Sequence, residues 1–455
     1  MMLKRTFGWL AVVLCVLLVT ARAGMSAVSA EEASKLKTTL TPFGAEKAGN
    51  KDGTIPAWEG GYKISPPGYK SGALRPDPFA NEKPLFSITS KNVDQYADKL
   101  SDGNKAMFRK YPSYRIDVYP THRTASAPEW VYENTFQNAT RAKKTHGGLS
   151  IEGAYGGIPF PIPADGYEAI WNFLNAWQGE KWDIHFRAFT MTPAGSRVLA
   201  TEGDTIVTYP YYRKGASLNK FDGIYRKLLN IQTSPPYKAG ESILTIDPVD
   251  QYGAGRMSYQ YLSGQRRVRR APSIAYDTPN FVVSGVANFD EVMIFNGALD
   301  RYDWKLLGKK ELFIPYNSNG FLNRKIDEVI GKNHLNPDYV RWELHRVWVV
   351  EASLRSGKRH VVAKRRFYLD EDTWLAVQTD GWDGQGQFWR AYWSLPFIAQ
   401  EVPCVAAVSY GIYNVQTGAW MMDHVLNEST VQFKTDAQHP ANFWTPDAMA
   451  GMGVR

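Results

Sequence analysis

The sequence predicts a mainly β protein with helical insertions (α+β), in which one large curved antiparallel sheet carries a long N-terminal wrap. From about residue 185 onward, apolar and polar residues alternate with a period of two, and short turns join the alternating stretches between residues 302 and 395. Before residue 185, glycine and proline recur too often for long regular elements. The chain has 455 residues, of which 44% are hydrophobic and 22% charged, and this composition excludes a disordered or fibrous protein.

Residues 1–30 are predicted to be a cleaved export signal. A basic start at Lys4 and Arg5 precedes the apolar run 7–20, which is too short to span a membrane, and small residues at 28–30 predict a cut before Glu31. Cleavage would lower the formal net charge from +8 to +5 and leave Cys404, in an apolar run, as a lone buried cysteine. An uncleaved anchor is the alternative.

Residues 31–184 are predicted to form a Pro/Gly-rich wrap with short helices. One helix is indicated by apolar residues at helical spacing between Val93 and Leu100. A second begins at Asp165, with Glu168 as the partner in a capping box. Its apolar stripe is aromatic and consists of Ile170, Trp171, Leu174 and Trp177. Because the wrap offers little core of its own, this helix is expected to cover the mouth of the sheet, either as a working lid or as a permanent fastening of the wrap.

Residues 185–455 are predicted to form the β domain. The expected strands are 206–212, 256–262, 303–314, 340–353, 358–369, 374–379, 387–394 and 409–426. In the strands 303–314 and 340–353 one face is apolar and includes Trp304, Trp342 and Trp348, which are expected to point into one shared apolar space. A helix at 323–334 is expected to cover that face.

The sequence contains no recognisable catalytic or metal-binding spacing, so we expect a protein that is not an enzyme and needs no cofactor or metal. The eight histidines form no zinc motif, and neither a nucleophile elbow nor a phosphate-binding loop is present. The carboxylates at 370–372 and 380–383 could hold calcium, but Asp is also typical of hairpin turns, which is the favoured interpretation. A glycan-active hydrolase stays the least favoured alternative, because any chain with 45 acidic residues contains possible carboxylate pairs.

The densest basic run is 266–270. If it continues the strand that carries Tyr259 and Tyr261, Arg267 and Arg269 lie on the tyrosine face. This arrangement predicts a guanidinium pair at a cavity mouth that could bind a carboxylate or phosphate, and a solvated strand edge is the alternative. Nucleic acid is not an expected partner, because the net charge is small.

Several segments resemble a Gram-negative family of unknown function, DUF1329. The two longest are Leu40–Trp58, with the sequence LTPFGAEKAGNKDGTIPAW, and Tyr155–Pro163, with the sequence YGGIPFPIP, which runs into 168–172. Further similar segments are Tyr261–Arg270, Phe367–Trp374 and the Trp382-Asp-Gly stretch. The resemblance spans essentially the whole mature chain.

The resemblance extends to the lipoprotein carriers LolA and LolB. It implies a half-open antiparallel β-barrel of LolA type, whose apolar concave face has a helical lid and takes acyl chains. It also implies a periplasmic carrier or chaperone for a lipid, lipoprotein acyl chain or other hydrophobic compound. Such a protein could associate peripherally with the outer membrane, and its implied partners are an RND/MMPL-type exporter and an outer-membrane protein. A ligand-sensing or scaffolding protein on the same fold is the alternative. The expected cavity residues are Trp171, Leu174, Trp177, Tyr259, Tyr261, Trp304, Trp342 and Trp348, with Arg267 and Arg269 as anion contacts.

Overall fold

The structure is a computed structural model that describes residues 27–452. Most of the predicted export signal therefore lies outside the described residues. Of its last residues, Val28 donates its N–H to the carbonyl oxygen of Ala139 (3.1 Å), and the Ser29 side chain caps helix α1 (Ala30–Ser34). A cut after residue 30 would remove both contacts. None of the helices within 27–452 has the length and apolar character needed to cross a membrane.

The first part of the chain is more helical than the sequence predicts. After α1, its regular elements are β1 (Phe86–Ile88), α2 (Asp102–Lys110), β2 (Ile116–Val118), α3 (Glu129–Arg141), β3 (Lys143–Thr145), β4 (Ser150–Glu152) and α4 (Gly166–Leu174). The predicted helix near residue 93 is a 3₁₀ helix, Val93–Lys99. The thirteen-residue α3 was not predicted, because its buried face includes the polar side chains of Thr135 and Asn138 and so lacks an apolar stripe.

The predicted start of α4 is confirmed, but its predicted stripe is too long. The Asp165 carboxylate accepts the N–H groups of Tyr167 and Glu168, as an N-cap does. The Glu168 side chain accepts the Ala164 N–H instead of completing the box at Asp165. The helix ends at Leu174, so Trp177 lies in the following loop.

The remaining strands extend from residue 181 to residue 425. In chain order they are β5 (Lys181–Met191), β6 (Arg197–Thr208), β7 (Ile224–Ser234), β8 (Ser242–Pro248), β9 (Met257–Leu262), β10 (Arg267–Arg270), β11 (Tyr302–Pro315), β12 (Trp342–Leu354), β13 (Lys364–Asp370), β14 (Ala376–Trp382), β15 (Phe388–Ser394), β16 (Phe397–Ala399), β17 (Cys404–Ala406), β18 (Tyr410–Asn414) and β19 (Trp420–Val425). Three short helices complete the described chain: α5 (Asn319–Leu322), α6 (Ile326–Val329) and α7 (Pro446–Met452).

The strands β5, β7 and β8 are not among the predicted strands, and two predicted elements take a different form in the structure. The region 409–426 is a hairpin rather than one strand, because the chain reverses between β18 and β19 at a turn in which Gly418 has a φ of 84°. The helix expected at 323–334 is reduced to α6, because Ile330 forms a β-bridge with Leu335 and ends the helix there.

Fifteen strands form one open sheet, which confirms the predicted fold class. The strand order is β1-β2-β12-β13-β14-β15-β18-β19-β5-β6-β7-β8-β9-β10, with β11 paired to β12. All of its pairings are antiparallel except the single contact of β2 with β12. Within residues 27–452, the terminal strands β1 and β10 do not pair with each other. Two strands of this sheet, β1 and β2, come from the predicted wrap, and β5 crosses the predicted boundary at residue 184.

The sheet curls around α4. The backbone of α4 at Gly166 lies so close to Trp304 of β11 that a Cβ atom there would stand 2.5 Å from the Trp304 carbonyl carbon. The Trp171 ring packs edge-to-face on Tyr225 of β7, with 6.0 Å between ring centroids. Strand β12, the partner of β11, and strand β7 are separated by seven strands in the sheet order. One short helix can touch both only if the sheet curves strongly, as in a half-open barrel.

A second segment, residues 271–301, fills the concave side of the sheet, and we call it the plug. It contains four 3₁₀ turns: Pro272–Ala275, Phe281–Val283, Phe289–Glu291 and Leu299–Arg301. Its Phe295 packs on Trp304 of β11 and on Phe367 of β13. Its Asn296 binds Arg226 of β7. The plug was not predicted, because its apolar residues follow neither a helical nor a strand period.

Candidate functional site

The plug places charged side chains in the centre of the protein. Asp290 accepts one hydrogen bond from Arg365 of β13 (2.7 Å) and pairs with His360 (2.9 Å), while Glu291 pairs with Arg390 of β15. The Asp290, Glu291 and Arg365 side chains are at most 2% exposed. The concave side is therefore closed at this level by paired charges rather than open for an acyl chain.

Ion pairs keep the buried carboxylates of Asp290 and Asp247 ionised. Burial alone would raise the pKa of Asp290, but Arg365 and His360 outweigh burial and lower this pKa to about 2. Burial would likewise raise the pKa of Asp247 in β8, and the guanidinium groups of Arg256 and Arg226 outweigh it and lower that pKa.

An open cavity of about 420 Å³ lies at one end of the plug, and we call it the end cavity. Its walls are the loop between β8 and β9, the first and the last residues of the plug, and the turn between β12 and β13. The apolar part of its surface comes from Leu149, Pro248, Tyr252, Ala275, Tyr276 and Ala298. Its volume lies in the range of roughly 300–1,000 Å³ that is typical of small-molecule sites.

Basic side chains line the same cavity. Arg256 donates to Asp247 Oδ1 through Nε (2.5 Å) and to Asn296 Oδ1 through Nη2 (2.6 Å). Its Nη1 atom is buried and has no hydrogen-bond partner among the described residues. Arg355 and Lys358 also line the cavity, from the side of the β12–β13 turn.

The helix α4 supports the cavity wall without lining it. The Trp171 Nε1 donates to the carbonyl oxygen of Gly148, which precedes the cavity residue Leu149. Tyr167 of α4 binds Arg355 at the rim. Trp171 and Leu174 are buried, and Trp177 donates to the Pro403 carbonyl oxygen (3.0 Å). The helix covers the sheet as an interior element, and the ligand contacts expected for these residues stay a prediction.

The register of β11 and β12 confirms that the three predicted tryptophans share one face. Trp304 lies opposite Ala352 of β12, so these two side chains are on the same face of the sheet. Trp342 and Trp348 are an even number of positions from Ala352 in the same strand and therefore share that face. Their surroundings nevertheless differ. Trp304 donates to the Leu299 carbonyl oxygen, Trp348 stacks on Trp374, and Trp342 borders a cavity of only about 30 Å³. None of the three lines the end cavity.

The predicted alignment of Arg267 and Arg269 with the tyrosine face is wrong. The chain reverses between β9 and β10, so Tyr261 lies opposite Val268 and Tyr259 opposite Arg270. Arg267 and Arg269 therefore point to the other side, where both are exposed on the terminal strand of the sheet. Tyr259 and Tyr261 pack against C-terminal side chains, including Met449 of α7. The parity argument failed because it assumed one continuous strand.

The carboxylates at 370–372 form a buried, charge-paired cluster. Asp372 accepts two hydrogen bonds from Arg123 (2.8 and 2.7 Å), and Glu371 accepts one from Arg346 (2.5 Å). His345, Asp370 and Asp372 each have one possible ligand atom within 4.8 Å of the others, and both carboxylate oxygens of Asp372 already accept a hydrogen bond from Arg123. Of the second predicted pair, Asp383 does lie in a hairpin turn, whereas Asp380 is buried inside β14.

Replacing Asp370 by Asn is expected to flatten the pH dependence of stability between about pH 4 and pH 6. Burial and the nearby Asp372 raise the pKa of Asp370 from 3.8 to about 6. Between these two pKa values the folded protein therefore holds a proton that the unfolded chain releases. The stabilising contribution of Asp370 to the free energy of unfolding is complete below pH 4 and is lost as the pH rises through 6, and it amounts to at most about 3 kcal/mol. Thermal melts across this range measure it, with the exposed Asp436→Asn as control. Equal slopes for Asp370→Asn and the unmodified protein would contradict the expectation.

Sequence reasoning missed the residues that form the end cavity. Arg256 falls at the start of a predicted strand, and the denser basic run at 266–270 is the predicted anion site. The relevant signal is Asp247, nine residues before Arg256, which becomes its partner because β8 and β9 are adjacent strands. Arg355 and Lys358 carry no local signal, because the end cavity brings them to Arg256 from about 100 residues away in the sequence.

Comparisons with known proteins give a family and a close relative. The model of the family described as "Protein of unknown function (DUF1329)" matches residues 87–450. An uncharacterised protein of Pseudomonas aeruginosa is 41% identical over 436 residues, which are 95% of this chain and 95% of that protein.

Solved structures share weaker similarity. A Vibrio parahaemolyticus domain described as an outer-membrane lipoprotein-sorting protein is 14% identical, with a TM-score of 0.43 over 63% of this chain and 98% of that one. A DUF1329 family protein from Desulfovibrio piger is 13% identical, with a TM-score of 0.42 over 62% and 97%. A LolA superfamily protein from Nitrosomonas europaea is 13% identical, with a TM-score of 0.34 over 60% and 94%.

Proposed function

Starting from the fact that this chain belongs to the DUF1329 family, we propose that it is a periplasmic carrier that binds a small hydrophobic compound in the end cavity. The observation that carries the proposal is the cavity itself, which is open, about 420 Å³ in volume and partly apolar. Burying an apolar chain there would contribute about 0.8 kcal/mol per CH₂ group. The protein acts by binding, not by catalysis.

The position of the cavity supports exchange of a ligand with the surroundings. The loop between β8 and β9 that borders it carries Tyr252, which is 65% exposed and stacks on the ring of His146 at 4.3 Å. The β12–β13 turn, with the half-exposed Lys358, also lines the cavity. Two surface loops thus form part of its wall, and surface loops can open without disturbing the core.

Mass spectrometry of organic extracts from natively purified protein tests the proposal. We expect a hydrophobic compound that is retained by the unmodified protein and lost in Ala298→Trp, because an indole at this lining position would occupy the cavity. Ala254→Trp, in the exposed part of the β8–β9 loop, is the matched control and should retain the compound. Equal retention in both variants, or none in the unmodified protein, would contradict the proposal.

The finer part of the proposal concerns the partner. We propose that the cargo passes between this carrier and an RND/MMPL-type exporter or an outer-membrane protein, with the sequence resemblance as its support. Crosslinking in intact cells followed by identification of captured proteins tests it. A stable stoichiometric partner without any bound lipid would favour the scaffolding function instead.

A further inference from the structure

We infer that the end cavity binds an amphipathic anion, an apolar chain or ring that carries one carboxylate or phosphate group held by Arg256. This inference rests on the proposed function, since it assumes that the cavity takes a hydrophobic ligand. It goes further because it names the chemical class of the ligand and the side chain that recognises it.

The first step is the balance of buried charge beside the cavity. Arg256 and Arg226 both pair with one carboxylate, that of Asp247, at 2.5 Å and 3.1 Å. The side chains of all three are at most 7% exposed. Two guanidinium groups therefore share one negative charge, and one buried positive charge is left without a counter-charge from this group.

The second step is the unused hydrogen-bonding capacity of Arg256. Its Nε and Nη2 are bound to Asp247 and Asn296, whereas its Nη1 has no partner among the described residues. A buried donor without an acceptor is costly, and a charged oxygen is the acceptor that satisfies a guanidinium group best. Arg256 lines the end cavity while its Nη1 is buried, so a ligand there supplies that oxygen once the guanidinium group turns toward the cavity.

The third step is the composition of the rim. Arg355 and Lys358 line the same cavity and pair with Asp303 (2.8 Å) and Asp300 (3.3 Å). Asp303 is largely exposed, whereas Asp300 itself lines the cavity, so Arg256, Arg355 and Lys358 face the carboxylates of Asp247 and Asp300 there. Apolar side chains make up the rest of the wall, including Leu149, Tyr252 and Tyr276. A ligand with a charged head and an apolar body matches both parts, whereas a neutral hydrocarbon leaves the Arg256 Nη1 without an acceptor.

The contrast with the exposed arginines of β10 sharpens the inference. Arg267 and Arg269 are exposed at the edge of the sheet and do not line the end cavity. They would hold an anion only weakly, because water competes for their donors. Arg256, with a side chain 5% exposed, offers its charge in a site with little water.

The test measures displacement of the neutral fluorescent probe N-phenyl-1-naphthylamine by dodecanoic acid, dodecyl phosphate and dodecanol. We expect at least one of the two anions to bind about 10- to 100-fold more tightly than dodecanol, and this preference to disappear in Arg256→Gln. Circular dichroism and a cooperative thermal melt show that this variant is folded, as expected because Asp247 keeps Arg226 as its partner. The double variant Arg267→Gln/Arg269→Gln is the matched control and should keep the preference.

The outcomes separate the two proposals. Equal binding of acid, phosphate and alcohol, or an anion preference that survives Arg256→Gln, would overturn this inference and leave the proposed carrier function standing. If neither the probe nor any of the three compounds binds, the proposed function fails, and this inference fails with it. The relative affinity of dodecanoic acid and dodecyl phosphate identifies the headgroup.

Discussion

Replacing Trp171 by Ala is expected to lower the free energy of unfolding by about 3–5 kcal/mol. The indole is fully buried, packs on Tyr225 of β7 and donates a hydrogen bond to Gly148 (2.9 Å). Its removal leaves a cavity at the place where α4 joins two distant parts of the curled sheet, and leaves the Gly148 carbonyl oxygen without this donor. Chemical denaturation followed by circular dichroism measures the loss.

The same variant distinguishes a structural helix from a moving lid. Because Trp171 is buried and does not line the end cavity, retention of ligand per folded molecule should be unchanged. Phe173→Ala, at a half-buried position of the same helix, is the control and should cost clearly less stability. If Trp171→Ala weakens ligand retention per folded molecule, α4 moves during binding, and its assignment as a fixed interior element is wrong.

Replacing Arg365 by Met is expected to destabilise the protein by about 3–5 kcal/mol, because it removes a cation from a fully buried pair. The Arg365 side chain has no exposed surface and donates to Asp290 of the plug at 2.7 Å. Without it, Asp290 keeps only His360 as its charged partner and must stay ionised at a desolvated site or take up a proton. Denaturant unfolding at pH 7 measures the effect.

Two further variants isolate the contribution of the charge. The double variant Arg365→Met/Asp290→Asn should recover part of the loss, since it no longer leaves a buried carboxylate uncompensated. Arg366→Met, one residue away, removes a partly exposed pair with Glu351 (2.9 Å) and should cost no more than about 1 kcal/mol. Equal losses for Arg365→Met and Arg366→Met would show that the plug is not held by its charges.

The features that can be predicted from sequence are those written in local patterns. The alternation in β12 predicts its strand and the common face of Trp342 and Trp348, because side chains alternate along any strand whatever it pairs with. The cap at Asp165 predicts the start of α4 for a similarly local reason. The open antiparallel sheet follows from the succession of such strands, and the family resemblance is carried by contiguous motifs.

The candidate site depends on contacts between residues far apart in the chain, which local patterns do not encode. Asp290 meets Arg365 across 75 residues, and Arg226 meets Asn296 across 70 residues. No periodicity marks the plug, since its shape follows from the concave surface that it fills. The face of Arg267 was misjudged for the same reason, because a turn between β9 and β10 reverses the chain and exchanges the two sides. Arg267 is an exposed charge at the sheet edge, whereas Arg256 lines a cavity with one buried donor unused. The surrounding strands and loops decide this difference, because burial and pairing arise only when the sheet curls and the plug packs against it.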